Sequence, residues 1–317
     1  MTKLQNSIKK DKVSKNKPRV SIGMPVRNGE NFIREAIDSI LAQTFKDFEL
    51  IISDNASTDK TQEICKKYAK KDKRIRYYRN KKNLGGAYNF NRVFKLSKGK
   101  YFKWAAHDDV IAPEFLEKCV KVLDNKPSVM LCYTQSVTIN KDGNPVRKCV
   151  NMLNLRSSQP HKRYKRFHDK VMRSDAPETF NPIFGLIQTN ILKMTQLIGN
   201  YIGSDRVLLA ELALRGKFYE IPELLFLRRV HPWRYIYPLN VSSNDEQAAW
   251  YDPSNKGKII LPEWRYLFEY LSVIHRVSIS HYEKMCCYVQ MYHWLKHYRG
   301  KMVKDIRSAG RKCLNFS

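Results

Sequence analysis

The chain has 317 residues, 43% of them hydrophobic, and a net charge of +28. That apolar content supports one large packed domain with or without an extension and argues against general disorder, and no run reaches the roughly 18 uninterrupted apolar residues of a membrane-spanning helix. Seven scattered cysteines without C-x-x-C spacing indicate neither a disulfide framework nor a zinc site, so reduced thiols in a cytosolic protein are the simplest expectation.

Residues 1–17 are lysine-rich and polar; they predict a disordered basic tail and lack the apolar h-region of a secretory signal. The run 20–24 (VSIGM) predicts a strand closed by Pro25 and an Asn28-Gly29 turn. Over 31–41, Phe32, Ala36, Ile37, Ile40 and Leu41 share one helical face. A second strand follows at 48–53 (FELIIS), then a helix over 59–69 whose Asp59 and Gln62 suggest a capping box. A third strand at 75–78 precedes a turn at 83–86 and a helix reaching Leu96. The fourth strand, 101–105, runs into His107-Asp108-Asp109; a helix over 113–123 begins on Pro113, and another strand covers 129–139. Strands alternating with helices through short turns predict a mostly parallel sheet wrapped by helices, with ligands at the carboxyl ends of the strands.

Beyond Asn140 the pattern weakens. A hairpin turn is expected at 141–143, and the basic, weakly patterned stretch 147–175 reads as loop. The segment 204–215 (SDRVLLAELALR) predicts an amphipathic helix stopped by Gly216. Short strands are expected at 218–221 and 224–230, a polar linker at 240–258, and helices over 262–309.

Three acidic positions stand out. Asp108-Asp109 closes a strand, where a hard divalent cation would find oxygen ligands; the pair would equally suit the dipole of the following helix. Asp54 ends FELIIS and could accept hydrogen bonds from a nucleobase or a ribose. Asn55, Ser57, Thr58 and Asp59 are available to cap the next helix, which would leave Asp54 free. Asp205 opens the 204–215 helix and reads equally as a plain N-cap.

The stretch RVSIGMPVRNGENFIREAIDSILAQTFKDFELIISDNASTDKTQEI, followed by NLGGAYNFNRVFKLSKGKYFKWAAHDDVIAPEFLE, resembles family 2 glycosyltransferases of the GT-A fold. The likeness is continuous from about Arg19 to Val137 and looser through GSDRVLLAELALRGKFYEIPELLFLRRVHP. It implies an α/β fold: a GT-A, Rossmann-like, mostly parallel sheet flanked by helices, with a C-terminal helical extension. The implied division is a tail at 1–17, a nucleotide-sugar transferase domain at 18–240 and the extension at 241–317. It further implies an inverting hexosyltransferase that uses a nucleotide-diphosphate sugar, UDP preferred, and Mn²⁺ or Mg²⁺. By the same resemblance Asp54 contacts the base, and Pro25 and Arg27 line the nucleotide pocket. Asp108 faces the ribose or donor sugar, Asp109 binds the metal with His231 as a further contact, and Asp205 is the catalytic base. His107 departs from the family pattern, standing where many members have the first Asp of the motif. The Q-x-x-R-W motif of processive synthases is absent, so one sugar per acceptor is expected.

The positive charge concentrates in the tail, in 147–166 and in the C-terminal helices, where Trp264, Tyr266, Phe268, Tyr270, Tyr288, Tyr292 and Trp294 interleave with Arg265, Arg276, Lys296 and Arg299. That mixture suits either peripheral docking of a cytoplasmic protein on an anionic inner membrane face, beside a saccharide or lipid-linked acceptor, or an ordinary helical subdomain with its aromatics inside. A basic nucleic-acid-binding protein without enzymatic activity is the rival class, but no reading module is present and no nucleic acid is expected as partner.

Overall fold

The computed structural model describes residues 17–150, 153–174, 177–232 and 244–314; the tail foreseen over 1–17 lies almost wholly outside them. Elements alternate in the first half: β1 (Val20–Val26), α1 (Ile33–Leu41), β2 (Phe48–Asp54), α2 (Thr61–Lys71), β3 (Ile75–Arg79), α3 (Gly86–Lys95) and β4 (Tyr101–Trp104). There follow β5 (Val110–Ile111), α4 (Phe115–Asn125), β6 (Val129–Ile139), β7 (Pro145–Cys149) and α5 (Pro160–Arg173). A 3₁₀ segment (Pro177–Phe184) leads into β8 (Leu186–Gln188), α6 (Thr189–Leu192), α7 (Ser204–Arg215) and β9 (Lys217–Arg229). The C-terminal part holds α8 (Asn244–Tyr251), α9 (Pro262–Arg276) and α10 (His281–Leu314).

The strands form one sheet in the order β3-β2-β1-β4-β8-β6-β9-β5, with β7 beside β6. β1 is parallel to β2 and β4, β2 to β3, and β6 to β9. β8 is antiparallel to both β4 and β6, so β6 and β9 run in the same sense as β1–β4. Every residue of β1 and β2 is buried, as helices on both faces require. One face is covered by α1, α2 and α4, through side chains such as Ile37, Ile64 and Leu116. The other is covered by α3, α5, α7, α9 and α10, through Phe94, Phe167, Leu209, Tyr270 and Trp294.

Four local expectations need correction. The presumed loop 147–175 contains β7 and α5. Tyr164, Phe167, His168 and Val171 form its buried stripe, hidden in the sequence by the six Lys and Arg of the same helix. One of those, Arg163, is itself buried: its Nε donates to the Ala213 carbonyl at 2.6 Å and Nη2 to Leu214 at 3.0 Å, capping the end of α7. The two short strands after Gly216 are one strand, β9, whose pairing with β6 slips from Thr134↔Ile221 to Gln135↔Leu224; the irregularity accommodates Pro222. The polar linker 240–258 holds α8 and a 3₁₀ turn at Pro253–Asn255, with residues 240–243 outside the described set. No capping box forms at Asp59. Its Oδ1 takes the Thr61 N–H at 3.0 Å and its Oδ2 the Glu30 N–H of the β1 loop at 3.0 Å, while Gln62 accepts from Arg79 on β3, so both members of the box are engaged elsewhere.

His168 is fully buried among the rings of Tyr164, Phe167 and Tyr270, and neither ring nitrogen has a hydrogen-bond partner among the described residues. Burial pulls its pKa down to about 3, so the folded protein holds it neutral. The unfolded chain takes up a proton near pH 6.5, and stability is therefore lost as pH falls below that value. His168→Leu is expected to raise stability by about 1–2 kcal/mol at neutral pH and to flatten this acid dependence, as urea titrations at several pH values would record.

Candidate active site

Parallel pairing brings strand ends together. Val26 stands opposite Asp54, and Asp54 opposite Arg79. Gly23 pairs with Trp104, so residues 105–109 leave β4 at the same edge. The end of β9 also arrives there, since Ile139 pairs with Arg229 while β5 turns back along β9 at Val110↔Leu227. Only Gly216 separates α7 from β9; the helix therefore runs back against the strand, and Asp205 in its first turn returns toward the carboxyl edge.

Asp108 and Asp109 are buried where the β4 segment meets β9. Asp109 Oδ1 accepts the Arg229 backbone N–H at 2.9 Å. Asp108 Oδ2 lies 3.1 Å from His231 Nε2, and its carbonyl accepts from Arg229 Nε at 3.0 Å. The His231 ring packs 4.6 Å from that of Phe32. Arg229 is the fastener of this corner. Its guanidinium pairs with Glu35 at 2.5 Å, donates to the carbonyls of Asn140 and Lys141, and lies 4.8 Å from the Phe32 ring centre. Three parts of the chain, at 32–35, 140–141 and 229–231, thus hold the acidic pair in place. His107 packs against Gly29, where an added Cβ would come within 2.6 Å of its ring.

Asp54 is fully buried and is not the free carboxylate that the surplus of capping residues suggested. Its Oδ1 takes the Ser57 N–H at 2.8 Å and its Oδ2 the Tyr77 hydroxyl at 2.7 Å, with Arg79 Nε at 3.6 Å. It therefore shapes the 54–61 loop itself. That loop is tied to the one after β1: Asn28 N–H donates to Ser57 Oγ at 2.9 Å and Gly29 N–H to Thr61 Oγ1 at 2.8 Å. Pro25 is buried near the end of β1, and Arg27 projects exposed from the same edge.

Asp205 is half-buried. Burial raises its carboxyl pKa above the ordinary range, opposed by Arg206 beside it. Its charge acts on the phenols of Tyr251 and Tyr266, so its surroundings are α8 and α9 rather than the sheet alone. Tyr251 also accepts the Gly203 N–H at 3.1 Å. Gly203 has φ +68°, and a Cβ there would lie 2.1 Å from the Tyr266 hydroxyl. Gly203→Ala is expected to cost at least about 2 kcal/mol, measurable as a fall in denaturation midpoint.

The structure thus joins Asp108, Asp109 and His231 by direct or shared contacts, and sets Asp54 two strands away across β1. Asp205 stands on a helix start directed to the same edge. Sequence reasoning missed Arg229, Glu35, Phe32, Tyr77 and Tyr251. Only the Arg228-Arg229 pair closing an apolar strand hinted at the first.

Among the described residues no group of three or more His, Cys, Asp and Glu is arranged to hold a metal ion. Carboxylate and imidazole are nevertheless donor types that Mn²⁺ or Mg²⁺ takes, and a site completed by water and phosphate oxygens needs only one or two of them from the protein.

The sheet order and flanking helices define a GT-A glycosyltransferase fold. The chain superposes on Staphylococcus aureus TarS 1–349 in complex with UDP with a TM-score of 0.56, at 18% identity, over 94% of this chain and 92% of that one. It also superposes on the mannosyltransferase PcManGT from Pyrobaculum calidifontis in complex with GDP-Man and Mn²⁺, with a TM-score of 0.53 and 15% identity, over 94% and 76%. The Glycosyl transferase family 2 model matches residues 21–186, more than half of the sequence, and the chain belongs to that family. An uncharacterized glycosyltransferase of Rickettsia typhi is 42% identical over 118 residues, 36% of either chain, so the match spans about a third of that relative. A chondroitin synthase of Pasteurella multocida is 33% identical over 134 residues, 42% of this chain and 14% of that protein. Membership in this family supports the enzymatic reading over the non-enzymatic alternative suggested by charge.

Proposed function

We propose that this glycosyltransferase is inverting and metal-dependent, and that it moves one sugar from a nucleotide-diphosphate donor, a UDP-sugar by preference, to a hydroxyl of a saccharide or lipid-linked acceptor. Cell-surface polysaccharide or glycan synthesis is the setting, which the likeness to a chondroitin synthase supports. The observation that carries this reading is the buried Asp108–His231 contact beside Asp109 at the carboxyl edge of a parallel sheet.

Asp109 and His231 would hold the cation, with Asp108 facing the ribose or donor sugar. A divalent ion, when bound, supplies Lewis-acid stabilisation of the departing diphosphate. Pro25, Arg27 and Asp54 form the nucleotide side. Both Asp54 oxygens have a partner in the protein and the side chain is fully buried, so a base N–H would reach their second lone pairs only by parting the 54–61 loop. Asp205 takes the proton of the acceptor hydroxyl. The hydroxyl oxygen bonds to the anomeric carbon from the face opposite the diphosphate, and the electron pair of the breaking C–O bond goes to the phosphate oxygen. A single displacement inverts the anomeric centre and needs no covalent intermediate.

No helix among the described residues is long and apolar enough to cross a membrane. A peripheral position on the inner face of a membrane fits the basic, aromatic C-terminal helices.

The test is a panel of nucleotide sugars with and without Mn²⁺. Thermal stabilisation by a nucleoside diphosphate that requires the metal, together with slow donor hydrolysis, is the expected result. Stabilisation by no nucleotide, with or without metal, would refute the proposal.

A further inference from the structure

The helix α10 is 34 residues long and apolar on two sides. One side, Cys287, Met291, Trp294, Tyr298 and Met302, is buried against α9 and α5. On the other, Tyr282, Met285, Val289, Tyr292, Lys296, Arg299, Val303 and Ile306 are all exposed. Their spacing alternates three and four residues, which places them in one stripe about 36 Å long that winds slowly round the helix. Tyr282 is 68% exposed, Tyr292 64% and Val289 56%, too much apolar surface to be incidental.

The charge of this face is one-sided. The helix has eight Lys and Arg and only two acids. Both acids turn back to the protein: Glu283 accepts the His161 N–H and contacts its ring at 2.7 Å, and Asp305 accepts the Glu263 N–H at 2.9 Å. Alongside the stripe, α10 and α5 flank a shallow, open cleft of about 510 Å³ lined by Arg173, Lys296, His293, His297, Met172 and Asp169. Asp169, its one acid, is occupied by Lys165 at 2.6 Å.

We infer that this face of α10 is the surface that lies on an anionic lipid bilayer, with the basic cleft beside it receiving headgroup phosphates. This names the surface for the peripheral position proposed above and does not depend on the donor chemistry. Tyrosines and short apolar side chains suit the headgroup boundary, while Lys296 and Arg299 can bury their stems and extend their charges to phosphate. A second copy of the helix fits less well. In parallel, Lys296 and Arg299 would meet themselves; antiparallel, they would be buried against Tyr292 and Val289. Either way the seam holds unpaired cations.

The test is flotation of the full chain with vesicles of equal parts phosphatidylglycerol and phosphatidylcholine, at low and high salt. The wild type should float with these vesicles at low salt, be released by high salt, and ignore vesicles of phosphatidylcholine alone. Lys296→Gln combined with Arg299→Gln should weaken partitioning about 30-fold, and Val289→Ser combined with Tyr292→Ser about tenfold, with denaturation midpoints unchanged. Wild type that stays unbound at low salt overturns the inference. So does wild-type-like binding by both double variants, which would assign attachment to other basic segments, or self-association that the double variants abolish without any vesicle binding. Nucleotide binding measured without vesicles reports separately on the donor site, so either reading can fail alone.

Discussion

Asp205→Asn is expected to reduce glycosyl transfer by about 10²–10⁴-fold or more while leaving nucleotide affinity near the wild-type value. The amide keeps the size of the side chain and its place in the first turn of α7 but cannot accept the acceptor proton. Its neighbours sharpen the expectation. Burial raises the Asp205 pKa and Arg206 opposes the rise, so the acid limb of kcat/KM should lie above the ordinary carboxylate range. A carboxyl with a raised folded-state pKa costs stability when ionised. That cost is present above the folded pKa and absent below the unfolded one. The same variant should therefore be more stable than wild type at neutral pH, and the gain should fade as pH falls through the carboxylate range. A pH series of kcat/KM and of denaturation midpoints checks both expectations. An inactive variant with lowered stability would point to a structural role instead.

Asp109→Ala is expected to lower Mn²⁺-dependent donor affinity on the order of 100-fold or more, because it removes a carboxylate from a site with few protein ligands. It also strips the Arg229 N–H of its acceptor, a loss of about 1–3 kcal/mol in stability. Asp109→Asn separates the two effects. The amide oxygen still accepts from Arg229 while the charge is gone, so stability should recover and metal-dependent binding should not. Calorimetric titration of UDP with and without Mn²⁺ distinguishes the outcomes, and equal metal dependence in wild type and Asp109→Asn would remove Asp109 from the cation site.

The half of the fold from β1 to α4 was legible because its physics is local. Continuous apolar runs such as FELIIS must be strands buried on both faces, and the intervening helices each show one apolar face. The strand-end rule then pointed to Asp54 and Asp108-Asp109 without any knowledge of tertiary contacts. What escaped was decided at long range. Arg229 meets Asp108 and Asp109 across some 120 positions and Glu35 across 194, and no periodicity encodes such a pairing. The helix α5 was concealed by basic residues, one of which serves the carbonyls of α7 instead of solvent. Asp54 illustrates the converse. Its neighbours could have capped the next helix, but Ser57 and Thr61 bind the β1 loop instead, and the turn falls to Asp54.

A crystal structure of the chain with UDP and Mn²⁺, phased to show anomalous scattering, would be decisive. One manganese peak within bonding distance of Asp109 and of the diphosphate, with Asp205 facing the side of the vacant sugar position away from the phosphate, is the result expected. Manganese bound elsewhere, or a nucleotide whose diphosphate is remote from Asp109 and Asp205 alike, would contradict the idea that these chain-distant acids serve one transfer reaction.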